Sequence, residues 1–306
     1  MPPIRTGQFA ALLAPDRYKV YVETGTKRPM EFPFVVNVQD LPYQGFINQN
    51  ISGLGTVPLK PEGTPFSYDA PILGNTKTHN AVEYGLGFEI TYEMWGRELY
   101  GIMDMMTKEL RRSVDFRLEV GAHNWLNNGF VTTNYTTFDA AALFSTAHVT
   151  LDGRTVSNRP ATEIEVGLTA LQNMVIHFHG MTNERNIPEM RGPRQIVIPP
   201  AYLWTMREIM GSTHRPFSAN NEINSILQEE LTFMVSHYAN TVNANAWYAL
   251  ASKDDHDGNF YIETRPIFDY FDDPRTMNAV FTVYTSFEPS QADEWRGVYA
   301  STGSAS

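Results

Sequence analysis

Residues 82–95 read VEYGLGFEITYEMW, and a change of period inside this stretch decides the fold. Val82, Tyr84, Leu86, Phe88 and Ile90 alternate with Glu83, Gly85, Gly87, Glu89 and Thr91. An apolar side chain at every second position marks a strand with one buried face. The two glycines on the other face admit the close approach of another backbone. Thr91 can then cap a helix that carries Glu93 in its first turn, where the helix dipole favours an acid. Trp95, Leu99, Ile102, Met103, Met106, Leu110, Val114, Leu118, Ala122 and Trp125 follow at helical spacing, so period two gives way to period 3.6. Gly129 ends the run. The pattern predicts one helix over residues 92–128, a rod of roughly 55 Å at 1.5 Å per residue.

Upstream the chain is less regular. Pro2, Pro3, Pro15 and Pro29 interrupt residues 1–31 and predict no long element there. FPFVVNV (32–38) has a period-two pattern and reads as a strand able to pair with 82–91. Residues 39–81 show no helical periodicity and hold five glycines (45, 53, 55, 63 and 74) and five prolines (42, 58, 61, 65 and 71). So long a stretch without helix is out of place inside a compact domain. Yet Phe46, Ile47, Ile51, Leu54, Val57, Phe66, Ile72 and Leu73 are too many apolar side chains to leave in water. The expectation is an extended arm or hairpin that finds its partners on another subunit.

Downstream, Thr162 and Glu165 form a capping-box pattern for a helix near 163–178. RQIVIPP (194–200) reads as a buried strand, followed by a helix from Pro200 through Met210. LTFMVS (231–236) and AWYALA (246–251) are further apolar segments. RPIFDYF (265–271) and AVFTVYTSF (279–287) close the chain as strands joined by the turn DDPRT (272–276).

Composition narrows the function. Of 306 residues 42 % are hydrophobic, enough for ordinary cores, and the absence of cysteine rules out disulfides and thiolate metal sites. No apolar run approaches the roughly 18 residues of a membrane span. The apolar run Phe9–Ala14 is too short for a signal-peptide core, so the chain reads as cytosolic when made. A net charge of −11 argues against a broad basic surface for nucleic acid.

The chemical motifs are weak. ALFSTAHVTLDGRTVSNRP (142–160) holds Ser145, His148 and Asp152, the ingredients of a serine hydrolase. No serine has the Gly-x-Ser-x-Gly surround, and this spacing does not by itself converge nucleophile, base and acid. Polar groups pinning a loop are the better reading, and the hydrolase stays as an alternative of another class. His177 and His179 are two apart, which on a helix points them to different sides, and no further ligand motif accompanies them. KDDHDG (253–258) resembles a calcium loop but has Lys253 at the first ligand position and Thr264 where the bidentate glutamate belongs. Gly53 and Gly55 lack the rest of a phosphate fingerprint, and Asn50–Ser52 and Asn134–Thr136 fit glycosylation sequons that matter only in secretion. No catalytic, cofactor-binding or metal residue is assigned, and no cofactor is expected.

Together EYGLGFEITYEMW, LFSTAH…SNRPA, IVIPPAY, NNEIN, AWYAL and the terminal RGVYAS resemble, in this order, the major capsid proteins of tailed double-stranded DNA phages. The resemblance spans about residues 80–300 and is nearest to the Mu-like prophage major head subunits. It implies the α+β Hong Kong 97-type fold. Residues 1–31 would be an N-terminal arm, 32–91 an extended loop, 92–160 a peripheral domain with spine helix 92–128, 161–252 an axial domain, and 253–306 a return to the peripheral domain with its final strands and tail. The stretch 142–160 would be the crossing between domains, with Gly153 allowing a bend and Asn158 and Arg159 anchoring it. The implied function is a non-enzymatic subunit of the virion. Its pentamers and hexamers would self-assemble in the host bacterial cytoplasm into an icosahedral head, enclosing DNA without reading its sequence and touching no membrane. A separate scaffolding protein, a portal and a decoration protein are the implied partners. A nanocompartment shell of the encapsulin type is the alternative on the same fold. One branch of the family joins a loop lysine to a neighbour's asparagine; Lys60 and Lys77 lie in the loop, but no acceptor matches by motif, so no covalent lattice is expected.

Overall fold

A computed structural model describes residues 10–27, 29–41, 43–95, 101–216, 222–239 and 241–303. Val82–Ile90 is a strand at the edge of a sheet that runs in the order Asn37–Asp40, Gly258–Asp272, Ala279–Phe287, Val82–Ile90, with Gln291–Ala292 paired to the long second strand. Phe88 sits opposite Phe281 and their rings stack 4.9 Å apart, while Tyr84 stacks on Phe287 at 4.6 Å. The glycine face has a local explanation. A Cβ on Gly87 would lie 2.8 Å from the Phe281 carbonyl oxygen, so the backbone it admits is the neighbouring strand of its own chain.

The helix is shorter than its periodicity predicts. Ile102–Ala122 is continuous, flanked by single turns at Tyr92–Trp95 and Asn124–Asn127, and residues 96–100, with Leu99 among them, lie outside the described residues. Gly101 has φ +65°, a left-handed conformation through which no right-handed helix continues. Hydrophobic spacing cannot register one dihedral angle. The buried stripe itself forms as expected from Met103, Leu110, Val114, Leu118 and Ala122.

Two readings of the N-terminal part are corrected. Ala10–Thr26 is a helix with Pro15 inside it; the proline forfeits one amide donor without ending the helix. Tertiary contacts outweigh that cost: Tyr21 is buried, stacks on Phe268 at 4.8 Å, and lies under the Arg111 guanidinium at 5.0 Å. Phe32–Val35 is a helical turn and not a strand, with Pro33 in its first turn, where a missing N–H costs nothing. Strand structure starts only at Asn37, and it pairs in parallel with Gly258–Asp272. Segments 32–38 and 82–91 therefore do not pair; their strands occupy opposite edges of one sheet.

A second sheet runs in the order Val298–Ser301, Trp247–Ala251, Pro193–Ile198, Thr232–Val235. Its central strands are buried on both faces. Val197, Tyr248, Leu250, Val298 and Ala300 point into the core shared with the spine helix, whereas Ile196, Ile198, Trp247, Ala249 and Tyr299 point into a second core. Helices Leu168–His179 and Leu203–Gly211 cover that second core with Leu171, Met174, Phe178, Met206 and Ile209. The first of these helices begins five residues later than its capping box implies, at an extended Gly167. The reason is that Glu163 is engaged elsewhere: its carboxylate accepts from the Ser301 hydroxyl (2.8 Å), the Thr302 amide and Arg159.

Gly45–Ile51 and Leu73–Asn80 form an antiparallel hairpin that belongs to neither sheet. Residues 52–72 join its strands without regular structure. No described helix is long and apolar enough to cross a membrane.

Candidate functional site: a polar junction and an extended hairpin

The junction 142–160 is built around His148, whose side chain is fully buried. Its Nδ1 lies 2.8 Å from Asp139 Oδ2, and its Nε2 lies 3.2 Å from both the Leu143 carbonyl and Asn158 Oδ1. The ring stacks on Trp295 at 4.6 Å, nearly parallel. Burial pushes the Asp139 carboxyl up, but hydrogen bonds from His148 and Thr137 outweigh it and hold the group below its ordinary range. Asn158, also fully buried, donates to the carbonyls of Leu143 (2.7 Å) and Trp295 (3.1 Å) and accepts the Ser145 amide (3.0 Å). Gly153, at φ +85°, turns a two-stranded ribbon of His148–Val149 and Thr155–Val156.

This geometry does not assemble a hydrolase. Both nitrogens of His148 are engaged, and the acid beside it is Asp139, not Asp152. Ser145 Oγ accepts the amide of Ala147 at 3.1 Å. Asp152 accepts from Thr150 and from Arg154 Nε (2.6 Å), which hold its carboxyl down at about 2. Sequence proximity put the three side chains in one loop but not in one line.

The other motifs are also structural. His177 lies 5.1 Å from Tyr299, and burial lowers it to about 4, while His179 faces Glu229 at 3.8 Å. In the acidic turn Lys253 donates to the Pro33 carbonyl, and Asp257 accepts the amides of Asp293 (2.9 Å) and Glu294 (3.0 Å). Among the described residues no group of three or more acids and histidines is placed to hold a metal ion.

The hairpin is where apolar surface is left open. Val57, Leu59 and Tyr68 are 96 %, 93 % and 95 % exposed, and Ile47, Ile51, Leu54, Phe66 and Leu73 are also exposed. Arg185 tethers the loop to the body through Ser52 Oγ (3.2 Å) and the Ala70 carbonyl (2.6 Å). Lys60 lies over Phe66 (4.9 Å) at the open end. Lys77 lies over Tyr135 (5.9 Å), with burial lowering its pKa against the pull of Asp293 and Asp139. Sequence reasoning missed His79 at the hairpin base, which bonds Glu288 and Asp293. Those partners are 209 and 214 residues away and leave no local signal.

The family profile described as phage capsid protein matches residues 74–301. The chain belongs to the phage capsid protein family. This capsid protein is a structural component of a virion shell and not an enzyme. Its mixed helix-and-sheet architecture has the Hong Kong 97-type fold, as solved structures bear out. One from Mycobacterium phage Adephagia is 7 % identical, with 91 % of each chain covered and a TM-score of 0.57. The capsid of Myoviridae phage XM1 is 11 % identical, over 90 % of this chain and 93 % of that one, with a TM-score of 0.54. A virus-like particle from Pyrococcus furiosus is 10 % identical, over 93 % and 97 %, with a TM-score of 0.51. At such identities the likeness is one of fold. No curated protein matches the capsid protein by sequence.

Proposed function

We propose that the protein is the major head subunit of a tailed phage, of the Mu-like branch, assembling in the bacterial cytoplasm into an icosahedral shell around double-stranded DNA. The observation that carries this reading is the hairpin: a capsid-family subunit presents eight exposed apolar side chains on an arm with no core of its own, Ile47, Ile51, Leu54, Val57, Leu59, Phe66, Tyr68 and Leu73. At about 25 cal/mol per Å² of apolar area, burying even half of that surface on a neighbour is worth several kcal/mol before ordering costs. The unit built on the second sheet acts as the axial domain, closing rings of five and six copies by head-to-tail contacts. The sheet carrying the spine helix acts as the peripheral domain, and the hairpin is the extended loop that ties neighbours. Several modest contacts per subunit then act together through avidity. The final strand, Val298–Ser301, belongs with the axial unit through its pairing with Trp247–Ala251, which amends a boundary that groups all of 253–306 with the peripheral domain. A net charge of −11 keeps packaged DNA free of specific contacts with the wall. Scaffolding, portal and decoration functions fall to separate proteins. The family match is to phage capsids, so a cargo-holding nanocompartment is not favoured. Electron microscopy of the purified full chain, alone and with its phage's scaffolding protein, tests the reading: closed shells are expected, and persistent monomers in both preparations would overturn it.

A further inference from the structure

The hairpin strands pair only with each other, so side chains alone fix the hairpin to the body of the subunit. His79, 2 % exposed on the returning strand, is the most enclosed of these. Its Nδ1 faces both carboxylate oxygens of Glu288 at 3.1 Å, and its Nε2 faces Asp293 Oδ2 at 2.9 Å. Phe46, from the outgoing strand, stacks on the imidazole at 4.6 Å, and Tyr261, from the long strand, lies at 5.3 Å. The ring is thus held at its edge by two acids and on its faces by aromatic groups.

The surroundings favour a cation. Asn48 donates to Asp293 Oδ2 and Gln291 donates to Glu288 Oε1, so both acids are already acceptors. With an acid at each ring nitrogen, only an imidazolium donates to both. Lys77 is the other nearby cation, acted on by Asp293, Asp139, Asp257 and Glu288. Asp257 is pushed up to about 6 by burial and by the charge of Asp293. Burial works to lower His79, but the bonds to Asp293 and Glu288 prevail and raise it to about 9. Without its proton, His79 would leave these carboxylates facing Lys77 alone.

We propose that His79, seated between Glu288 and Asp293, is a charge latch that fixes the angle of the extended hairpin, and that losing the imidazolium proton frees the hairpin to swing while both sheets keep their structure. Arg185 is a second tether that does not titrate. The latch is a property of one subunit; its consequence for the lattice rests on the hairpin being the tie between neighbours. The sign follows from linkage. His79 binds its proton more tightly in the fold than in an unfolded chain, so its contribution is whole below about pH 6.5. It is lost as the pH rises through about 9.

The chain has no cysteine, so Glu62→Cys on the loop and Glu208→Cys on the helix Leu203–Gly211 place two spin labels without background. The distance distribution between them should be narrow at about pH 7 and broad at about pH 10. Its midpoint should lie near 9, the open population rising about tenfold across the transition. With His79→Gln the distribution should be broad at both pH values, and with Arg185→Ala the pH step should persist. An equally narrow distribution in His79→Gln, or none of this pH dependence in the parent, overturns the latch. Should His79→Gln not fold, Asp293→Asn replaces it and must lower the midpoint by at least about one pH unit; an unmoved midpoint overturns the proposal. Shell formation, scored by microscopy on the same preparations, reports on the tie and not on the latch.

Discussion

Glu119, on the spine helix, accepts the backbone N–H of Phe32 at 3.0 Å. The same carboxylate takes the amide of Glu31 at 2.6 Å, so one side chain satisfies two donors at the start of the turn Phe32–Val35. This contact sets where the N-terminal segment joins the body, and it converts an apparent strand into a helical turn. Burial, with the charges of Glu31 and Asp115, drives the Glu119 carboxyl up to about 7 against the two amide bonds.

That relationship gives a pH prediction. A carboxyl raised in the fold binds its proton more tightly there than in the unfolded chain, so stability falls as the pH rises from about 4.5 to about 7. Glu119→Gln should flatten this part of the stability–pH profile. Glu119→Ala should cost about 1–3 kcal/mol at any pH by leaving two buried amides unpaired. Urea unfolding at pH steps checks both, and an unchanged slope in Glu119→Gln would contradict the assignment.

The junction predicts an asymmetry between two neighbouring polar residues. Asn158→Ala removes two donors and an acceptor from a fully buried site and should cost about 2–4 kcal/mol. Ser145→Ala removes one acceptor for the amide of Ala147 and should cost under about 1 kcal/mol. Thermal unfolding of the two variants, side by side, tests the order; equal losses would mean that Asn158 is not the anchor.

Shortening the arm separates folding from assembly. Replacing residues 54–70 with a short Gly-Ser turn leaves the pairing of Gly45–Ile51 with Leu73–Asn80 intact. The subunit should fold with a melting temperature within about 3 °C of the parent, since the removed side chains are exposed. Shells should fail to close or become fragile. Normal, stable particles seen by microscopy would show that the loop is not the tie.

Covalent locking is not expected. Lys77 is enclosed by Asp293, Asp139 and Tyr135 of its own chain, and Lys60 is set against Phe66. Mature particles boiled in detergent should run as a single band at the 34.6 kDa monomer. A ladder of higher bands would identify a bond between subunits.

By itself the sequence determined the elements whose side chains repeat. The strand at 82–90, the buried stripe of the spine, the doubly buried strands at 193–198 and 247–251 and the final hairpin were all legible. Burial of one or two faces imposes a period on a regular element, and a period survives in one dimension. The open character of 52–72 was legible for the complementary reason, that no period is present. Tertiary structure alone decided the rest. Pro15 sits in a helix because that helix is held by Tyr21 against Phe268 and Arg111. Phe32–Val35 turns because of Glu119, the spine starts at Ile102 because of one dihedral at Gly101, and His148 meets Asp139 instead of Asp152. His79 finds acids more than two hundred residues away. Each of these is a single contact or angle between particular atoms, and a hydrogen bond has no period to leave in the order of residues.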